Sequence, residues 1–263
     1  MILSKTPLRM SFVGGGSDLP AYYKEQEGAV ISTSIDKYMY ITVSKKFSGD
    51  IRLSYSKTEQ VKCLEEITHP LVKQSLFLLG IHGGIEITST ADIPSEGSGL
   101  GSSSSYTVGL LNALHAFRKK AISKVDLAEL ACHIEIEKCK EPIGKQDQYA
   151  AAVGGLNLIT FHTHGSVSVE EIKCNEEAKS TFEKSILVFY TGRTRKASDL
   201  LLKQSNNLAQ KEKRSLMGKM VEMTHQMKDC LEKNNIYSIG NLLHQNWLLK
   251  KRITKGVSDQ QID

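Results

Sequence analysis

The stretch Pro94-Ser95-Glu96-Gly97-Ser98-Gly99-Leu100-Gly101-Ser102-Ser103-Ser104-Ser105 decides how the rest of this sequence is interpreted. Residues 84–93 before it alternate between apolar and polar, and residues 106–117 after it have the apolar spacing of a helix. The order predicts a strand, a glycine loop and a helix. Glycines at alternate positions let the backbone approach a ligand closely, and the N–H groups at a helix N-terminus attract anions. The sequence therefore predicts an anion site.

Two common nucleotide-binding motifs do not fit this loop. A Walker A loop ends in Gly-Lys-Ser/Thr, and no lysine follows Gly101. The dinucleotide fingerprint is G-x-G-x-x-G, whereas the glycines here run G-x-G-x-G. An ordinary serine N-cap after a flexible loop stays open as an alternative. Four successive serines exceed the single hydroxyl that a cap needs, and several hydroxyls can serve phosphate oxygens and a metal ion.

Composition narrows the class of protein. The 263 residues carry a formal net charge of only +5, and the basic residues are scattered, which suits an enzyme of anionic substrates better than a nucleic-acid binder. None of the five cysteines forms a C-x-x-C pair, so we expect reduced thiols and no zinc knuckle. There is neither a signal-peptide core nor an apolar run of membrane-spanning length. We expect a cytoplasmic protein without a membrane or nucleic-acid partner.

A second glycine loop lies near the N-terminus. A predicted strand over residues 7–13 carries Arg9 and runs into Gly14-Gly15-Gly16-Ser17-Asp18. Asp18 would repel a phosphate, whereas a carboxylate beside flexible backbone can accept hydrogen bonds from sugar hydroxyls. A helix cap or turn role for Asp18 stays open.

The remaining pattern predicts an α+β fold, in which strands precede the loop and most helices follow it. Further strands are predicted at residues 28–33, 37–44 (after a turn at 35–36), 51–55, 156–161 and 185–190. Further helices are predicted at residues 70–79, 126–139, 150–153, 197–231 and 236–252.

The helix predicted at residues 126–139 carries two carboxylates of interest. Glu135 lies near the apolar stripe of the helix and Glu137 faces solvent. A carboxylate beside an apolar stripe is costly unless it is paired or binds a cation. A surface salt bridge from Glu135 to Lys138 or Lys140 is the open alternative.

Two further polar segments hold candidate site residues. Asp147 stands in Gly144-Lys145-Gln146-Asp147-Gln148, between polar residues that can orient it. Arg193 and Arg195 belong to a basic loop that can hold a phosphate, or that is simply a charged turn.

Taken in order, three of these motifs resemble those of the GHMP kinase superfamily. The motifs are Pro7-x-Arg9 through Asp18, Gly97-x-Gly99-Leu100-Gly101-Ser102-Ser103, and Gly144-Lys145-Gln146-Asp147-Gln148. Phe-Tyr-Thr-Gly-x-Thr-Arg and Leu-Leu-His-x-x-Trp further resemble the sugar-1-kinase branch, above all the D-glycero-D-manno-heptose 7-phosphate kinases. The resemblance implies a GHMP kinase fold with a ribosomal-protein-S5-domain-2-like lobe at residues 1–180. A truncated ferredoxin-like lobe would occupy residues 181–263.

The resemblance also implies a set of site residues. ATP would be bound by the loop residues Gly97, Ser98, Gly99, Leu100, Gly101, Ser102, Ser103 and Ser104. Ser103 and Glu135 would hold Mg²⁺. Asp147 would orient the anomeric hydroxyl or accept its proton, and Arg9 would stabilise the transferred phosphoryl group. The sugar would contact Gly16, Ser17 and Asp18, and its phosphate Arg193 or Arg195.

The implied activity is phosphorylation of C1 of D-glycero-D-manno-heptose 7-phosphate. The partner is then a small-molecule sugar phosphate, and a homodimer is compatible with the family. Gln245 stands where relatives commonly have glutamate, the loop holds one extra residue, and a third glycine-rich motif near the C-terminus is missing. We expect either a fragment or a truncated, inactive homologue, and we favour a fragment because the three N-terminal motifs are intact. A fucose-, galactose- or N-acetylhexosamine-type 1-kinase is the other alternative.

Overall fold

The computed structural model describes residues 1–93, 98–189, 197–260 and 262–263. The strands in these residues are β1 (Ile2–Val13), β2 (Gly28–Lys45), β3 (Ile51–Ser54), β4 (Thr58–Val61), β5 (Ile85–Ala91), β6 (Leu156–Phe161) and β7 (Val167–Glu171). The helices are α1 (Pro20–Tyr23), α2 (Pro70–Leu78), α3 (Ser102–Phe117), α4 (Lys124–Cys132), α5 (Gln146–Val153), α6 (Glu176–Lys184), α7 (Ala197–Asn207), α8 (Lys211–Glu232) and α9 (Tyr237–Ile253). A 3₁₀ turn covers Leu64–Glu66, and a π-helical turn covers His133–Lys138.

Several helices begin where the sequence provides a start signal. Pro70 occupies the first turn of α2, where a missing N–H costs nothing. Ser123 caps α4 by accepting the Asp126 N–H, and Asn175 caps α6 in the same way. Across the described ranges, no helix is both long and apolar enough to cross a bilayer.

The long strand β2 is central to the sheet, because it pairs with β1, β5 and β6. Its C-terminal half pairs antiparallel with β5, beginning with Met39 opposite Ala91. Its N-terminal half pairs antiparallel with β6, beginning with Gly28 opposite Phe161. Among the described strands the order is β4-β3-β5-β2-β6-β7, β1 also pairs with β2, and β3 is parallel to β5. This mixed sheet with its helices confirms the predicted α+β class.

One compact unit comprises Met1–Arg9, Ser34–Glu141 and Asp147–Gly154. Successive side chains of a strand point to opposite faces, so alternate residues of β2 and β5 turn inward. They pack with one face of α3 in a core that includes Ile41, Val43, Ile85, Ile87, Leu110 and Leu114.

The other compact unit comprises Met10–Thr33, Pro142–Gln146 and Gly155–Asp263. Its core includes the apolar faces of α8 and α9, with the buried residues Met217, Met220, Met227, Leu231, Ile239 and Ile253. The division of the chain at residue 180 stays a prediction.

Two predictions about where a strand or helix is interrupted differ from the structure. The turn at residues 35–36 is wrong, because β2 is extended throughout and each of its halves is held by a partner strand. The single helix over residues 197–231 is also wrong. It is divided between α7 and α8, and Gln210, which precedes α8, has extended backbone angles.

The strand predicted at residues 185–190 is wrong over its described part, residues 185–189. Leu187, Val188 and Phe189 are exposed there. Apolar and β-branched residues favour a strand only when a neighbouring strand packs beside them, and no described strand pairs with this segment.

Candidate active site

The loop before α3 turns at two glycines. Gly99 and Gly101 have φ angles of +72° and +75°, in the left-handed region that favours glycine. A Cβ on Gly101 would lie 3.2 Å from Arg9 Cγ and 3.4 Å from Asp147 Oδ2. Glycine at position 101 therefore allows the loop backbone to lie against both side chains. Gly97 lies outside the described residues.

The start of α3 has the character of an anion site. Its N-cap is Gly101, which makes no side-chain cap hydrogen bond, so the alternative of a serine N-cap is wrong. The first N–H groups of a helix lack partners within the helix, and the helix dipole adds positive charge there. Ser98 Oγ lies 3.1 Å from Ser102 Oγ, which brings predicted ligand residues from the loop and from the helix together.

Arg9 and Asp147 form an ion pair beside this loop. Arg9 Nη2 lies 2.6 Å from Asp147 Oδ1, and Arg9 Nε donates to the same oxygen at 2.8 Å. Arg9 also binds the loop, because its Nη1 donates to Gly99 O at 2.8 Å and its backbone N–H donates to Leu100 O at 3.1 Å. The two side chains are 12% and 24% exposed, so both remain partly accessible. The guanidinium group thus links the glycine loop to the carboxylate.

Glu135 points inward and Glu137 points outward. Glu135 is 1% exposed, and its Oε2 accepts a hydrogen bond from Gln148 Nε2 at 2.6 Å. The Glu137 side chain is 67% exposed and lies 2.7 Å from His133 Nδ1. The alternative of a surface salt bridge for Glu135 is therefore wrong, and Glu135 is the better placed of the two for a metal ion.

Burial of this carboxylate raises the pKa of Glu135 to about 7. The negative charge of Asp147 contributes to this rise in pKa, whereas the hydroxyls of Ser103 and Ser104 and the Gln148 amide act in the opposite direction. A buried acid with such a pKa suits a site that a cation completes. Mg²⁺ is commonly held by one or two carboxylates together with substrate phosphates. Within the described ranges, no cluster of three His, Cys, Asp or Glu side chains could bind a metal ion.

A cavity of about 700 Å³ lies next to the start of α3, and Ser102 and Ser103 form part of its wall. Three aromatic side chains line it. The His69 ring is stacked on Tyr106 at 5.0 Å between centroids, and Tyr55 meets His69 edge-on at 4.8 Å. Such a cavity can hold a flat heterocycle. The sequence interpretation did not include these residues, because they are far apart in the chain.

Asp18 belongs to the other compact unit and is 2% exposed. Its Oδ1 accepts hydrogen bonds from Gly16 N and Gln146 Nε2, each at 3.1 Å, and its Oδ2 accepts one from Gln146 N at 3.2 Å. Ser17 is fully buried and exchanges hydrogen bonds with the Ala29 backbone. In this structure Asp18 therefore fixes the turn that leads into α5.

Three polar side chains that the sequence interpretation missed surround Gly14–Gly16. Asn246 Oδ1 accepts the Gly14 N–H at 3.4 Å, and Lys250 Nζ lies 3.4 Å from where a Cβ on Gly15 would stand. The Gln204 amide packs against Gly16, and its buried Nε2 has no hydrogen-bond partner among the described residues. Only the tertiary fold brings α7 and α9 to this loop. Arg193 and Arg195 lie outside the described residues.

Comparison with known proteins finds one matching protein family and several similar kinases. Residues 62–155 match the family described as the GHMP kinases N terminal domain. A D-glycero-alpha-D-manno-heptose 7-phosphate kinase from Campylobacter jejuni subsp. jejuni serotype O:2 is 27% identical over 274 residues, covering 100% of this chain and 80% of that protein. A galactokinase from Pyrococcus furiosus is 28% identical over 224 residues, covering 82% of this chain and 60% of that protein.

Solved structures show the same fold. A D-glycero-D-manno-heptose 1-phosphate kinase from Bacteroides thetaiotaomicron has a TM-score of 0.82 at 25% identity, covering 96% of this chain and 80% of that chain. A Streptococcus pneumoniae phosphomevalonate kinase in complex with phosphomevalonate and AMPPNP has a TM-score of 0.78 at 17% identity, with the same coverage of 96% and 80%.

Proposed function

We propose that this chain, whose residues 62–155 match the GHMP kinases N terminal domain, transfers the γ-phosphoryl group of ATP to the C1 hydroxyl of D-glycero-D-manno-heptose 7-phosphate. The chain is a phosphotransferase that acts on a sugar hydroxyl group. The choice of heptose is supported by the Campylobacter jejuni relative and by the Bacteroides thetaiotaomicron structure. The 1,7-bisphosphate product would serve the synthesis of nucleotide-activated heptose for surface polysaccharide.

The nucleotide site is supported by the loop and the cavity. The N–H groups at the start of α3 suit the phosphates, and the adjoining aromatic cavity suits the base. The AMPPNP complex of the Streptococcus pneumoniae kinase supports ATP as the donor. Ser103 and Glu135 would hold Mg²⁺, which supplies positive charge to the phosphates when it is bound.

The single observation that carries the chemistry is the ion pair between Arg9 and Asp147 at the glycine loop. In the proposed step, the C1 oxygen of the sugar bonds to the γ-phosphorus while the bond from that phosphorus to the β,γ-bridging oxygen of ADP breaks. The hydroxyl proton leaves to Asp147 or, through it, to solvent. Phosphoryl transfer depends more on positioning and on neutralising charge than on a strong base. Asp147 can orient the hydroxyl, and Arg9 can stabilise charge on the phosphoryl oxygens.

On the sugar side, we propose that Asp18, Gly16 and Ser17 form the subsite for the hydroxyl groups. Hydrogen bonds from Gly16 and Gln146 preorganise Asp18, and a carboxylate oxygen can accept more than one hydrogen bond. Arg193 or Arg195 would bind the 7-phosphate. The position of Lys250 at Gly15 adds a cation from the described part of the chain.

A second candidate is a 1-kinase of an unphosphorylated sugar, of the fucose, galactose or N-acetylhexosamine type. The Pyrococcus furiosus galactokinase, at 28% identity, favours it. Such an enzyme needs no cation for a substrate phosphate. A catalytically inactive binding protein is a third candidate, which the intact ion pair disfavours.

The test is ADP release from this chain with Mg-ATP and D-glycero-D-manno-heptose 7-phosphate. The unphosphorylated heptose and galactose run in parallel, and Asp147→Asn serves as the blank. We expect turnover on the phosphorylated heptose alone, lost in the variant. Equal rates on the unphosphorylated sugars would favour the second candidate. ATP binding without turnover on any sugar would favour the third.

A further inference from the structure

We propose that Gln148 is a positioning residue that holds the Glu135 carboxylate in place for the metal-bound nucleotide. The inference rests on the proposed function, because that function brings a nucleotide and Mg²⁺ to this site. Gln148 directly follows Asp147 in the first turn of α5, and none of the motif-based roles includes it.

The contact between the two residues is short and fully buried. Gln148 Nε2 donates to Glu135 Oε2 at 2.6 Å, and the two residues are 0% and 1% exposed. A hydrogen bond to an ionised carboxylate is about twice as strong as one between neutral groups. Water cannot replace this donor, because neither side chain is accessible. The amide therefore constrains where the carboxylate lies.

The backbone conformation around Glu135 also helps to direct its side chain inward. Residues His133–Lys138 form a π-helical turn, and Cys139 N donates to Ile134 O, five residues earlier, at 2.9 Å. The wider turn buries Ile134 and Glu135 together, although they are consecutive. π-Helical turns are rare and are frequent at functional sites. A carboxylate that is buried in this way needs a hydrogen-bond donor or a cation beside it, because burying it unpaired costs a large amount of free energy.

Among the residues that the structure describes, none forms a competing hydrogen bond that would explain the burial of Gln148. Its Oε1 is buried and lacks a partner among the described residues, so the bond to Glu135 is what its amide provides. A carboxylate accepts hydrogen bonds, so the amide must present its NH₂ group to Glu135. A methionine would fill the same space without that donor, and a glutamate would set two carboxylates against each other.

Because Gln148 directly follows Asp147, one helix start positions two parts of the proposed site. Asp147 and Gln148 are consecutive, so the same helix start fixes the proposed proton acceptor and the proposed metal ligand. Gln148 links α5 to the π-helical turn, and Arg9 links α5 to the glycine loop. Ligand-orienting partners of this kind commonly account for 10- to 100-fold in metal affinity.

The test measures metal binding rather than turnover. Mn²⁺ replaces Mg²⁺, and its binding to the full chain with AMPPNP is followed by electron paramagnetic resonance. We expect Gln148→Met and Gln148→Asn to weaken Mn²⁺ binding about 10- to 100-fold. Gln148→Asn keeps the amide but ends one methylene short of Glu135. Gln60→Met, which removes an amide that donates to the Asp50 carboxylate at 2.8 Å on the edge strand β4, should leave the affinity unchanged.

The same variants in a Glu135→Gln background separate positioning from general stability. If Gln148 acts through Glu135, Gln148→Met should weaken Mn²⁺ binding little further once Glu135 is gone. Equal weakening in both backgrounds, or unchanged affinity in a folded Gln148→Asn variant, overturns the inference. A wild-type chain that binds no Mn²⁺ with AMPPNP overturns the proposed function itself, which is a different result.

Discussion

Asp147 illustrates how much depends on the neighbours of a single residue. A lone aspartate in a polar segment is most often solvated, and only the resemblance to the GHMP kinases gave Asp147 a role at the sequence level. In the structure, two Arg9 nitrogens contact one of its oxygens, and Arg9 also binds Gly99 in the glycine loop. The carboxylate is thereby fixed in orientation while a quarter of it stays accessible.

The Asp147→Asn variant should separate catalysis from nucleotide binding. We expect kcat to fall about 10²- to 10⁴-fold, because the amide cannot accept the hydroxyl proton. Nucleotide affinity should stay near that of the wild type, as measured by calorimetry with AMPPNP. Asp229→Asn is the matched control, since Asp229 pairs with Lys233 at 2.9 Å on exposed helix surface. An equal loss of nucleotide affinity and of kcat in Asp147→Asn would count against this role.

Glu135 predicts a pH dependence of stability in the metal-free protein. Its folded-state pKa of about 7 exceeds the ordinary glutamate value of 4.5, so the folded protein binds this proton more tightly than the unfolded chain does. The contribution of this group to the free energy of unfolding is fully present below about pH 4.5 and is lost as the pH rises to about 7. The difference in pKa corresponds to roughly 3 kcal/mol.

Urea unfolding in EDTA between pH 5 and 8 measures this effect. Glu135→Gln should show a smaller loss of stability than the wild type as the pH rises, because an amide does not titrate. Parallel pH profiles for the two proteins would show that burial does not perturb this acid.

At the scale of elements, the sequence predicted local order better than it predicted irregular backbone. The strand, glycine loop and helix around residue 101 follow from glycine spacing and apolar periodicity, and the structure confirms the two described glycine turns and α3. Periodicity of 3.6 residues could place Glu135 near an apolar stripe. It could not reveal the π-helical turn that buries Glu135 beside Ile134, because that turn departs from the periodicity itself.

The turn before α5 yields a prediction based on steric fit. Gly144 lies against Asp18, so that a Cβ there would overlap the carboxylate. Gly144→Ala should therefore displace Asp18 or the turn, lower the melting temperature and raise the KM for the sugar. Gly240→Ala is the control, because Gly240 is in α9 with open space around it. That change should stabilise the protein by up to about 1 kcal/mol. Similar melting temperatures for the two variants would contradict the steric argument.

At the scale of the whole molecule, the motifs identified the chemistry but not all of the residues around it. Each compact unit is assembled from several chain segments, and α5 begins where the chain passes from one unit to the other. Residues such as Gln204, Asn246 and Lys250 carry no motif, and only the packing of α7 and α9 brings them to the first glycine loop. A sequence pattern cannot report such contacts, in which the two residues lie almost 190 positions or more apart in the chain.

The net charge of +5 raises the question of whether a sugar phosphate is attracted by the whole protein or by a local contact. Lys250→Met and Lys251→Met each lower the formal charge to +4, so any effect of net charge on KM should be the same in both. Lys250 Nζ lies beside Gly15 in the first glycine loop, and Lys251 Nζ lies 3.0 Å from an Asp263 carboxylate oxygen. A hydrogen bond to a charged group contributes about 1.5–3 kcal/mol, so Lys250→Met should raise the KM for the sugar phosphate about tenfold or more. Lys251→Met should leave it nearly unchanged, and neither variant should alter the KM for ATP.

Steady-state kinetics at constant ionic strength measure this difference in KM. Equal effects of the two variants would show that the net charge attracts the sugar phosphate and that residues other than Lys250 bind its phosphate group.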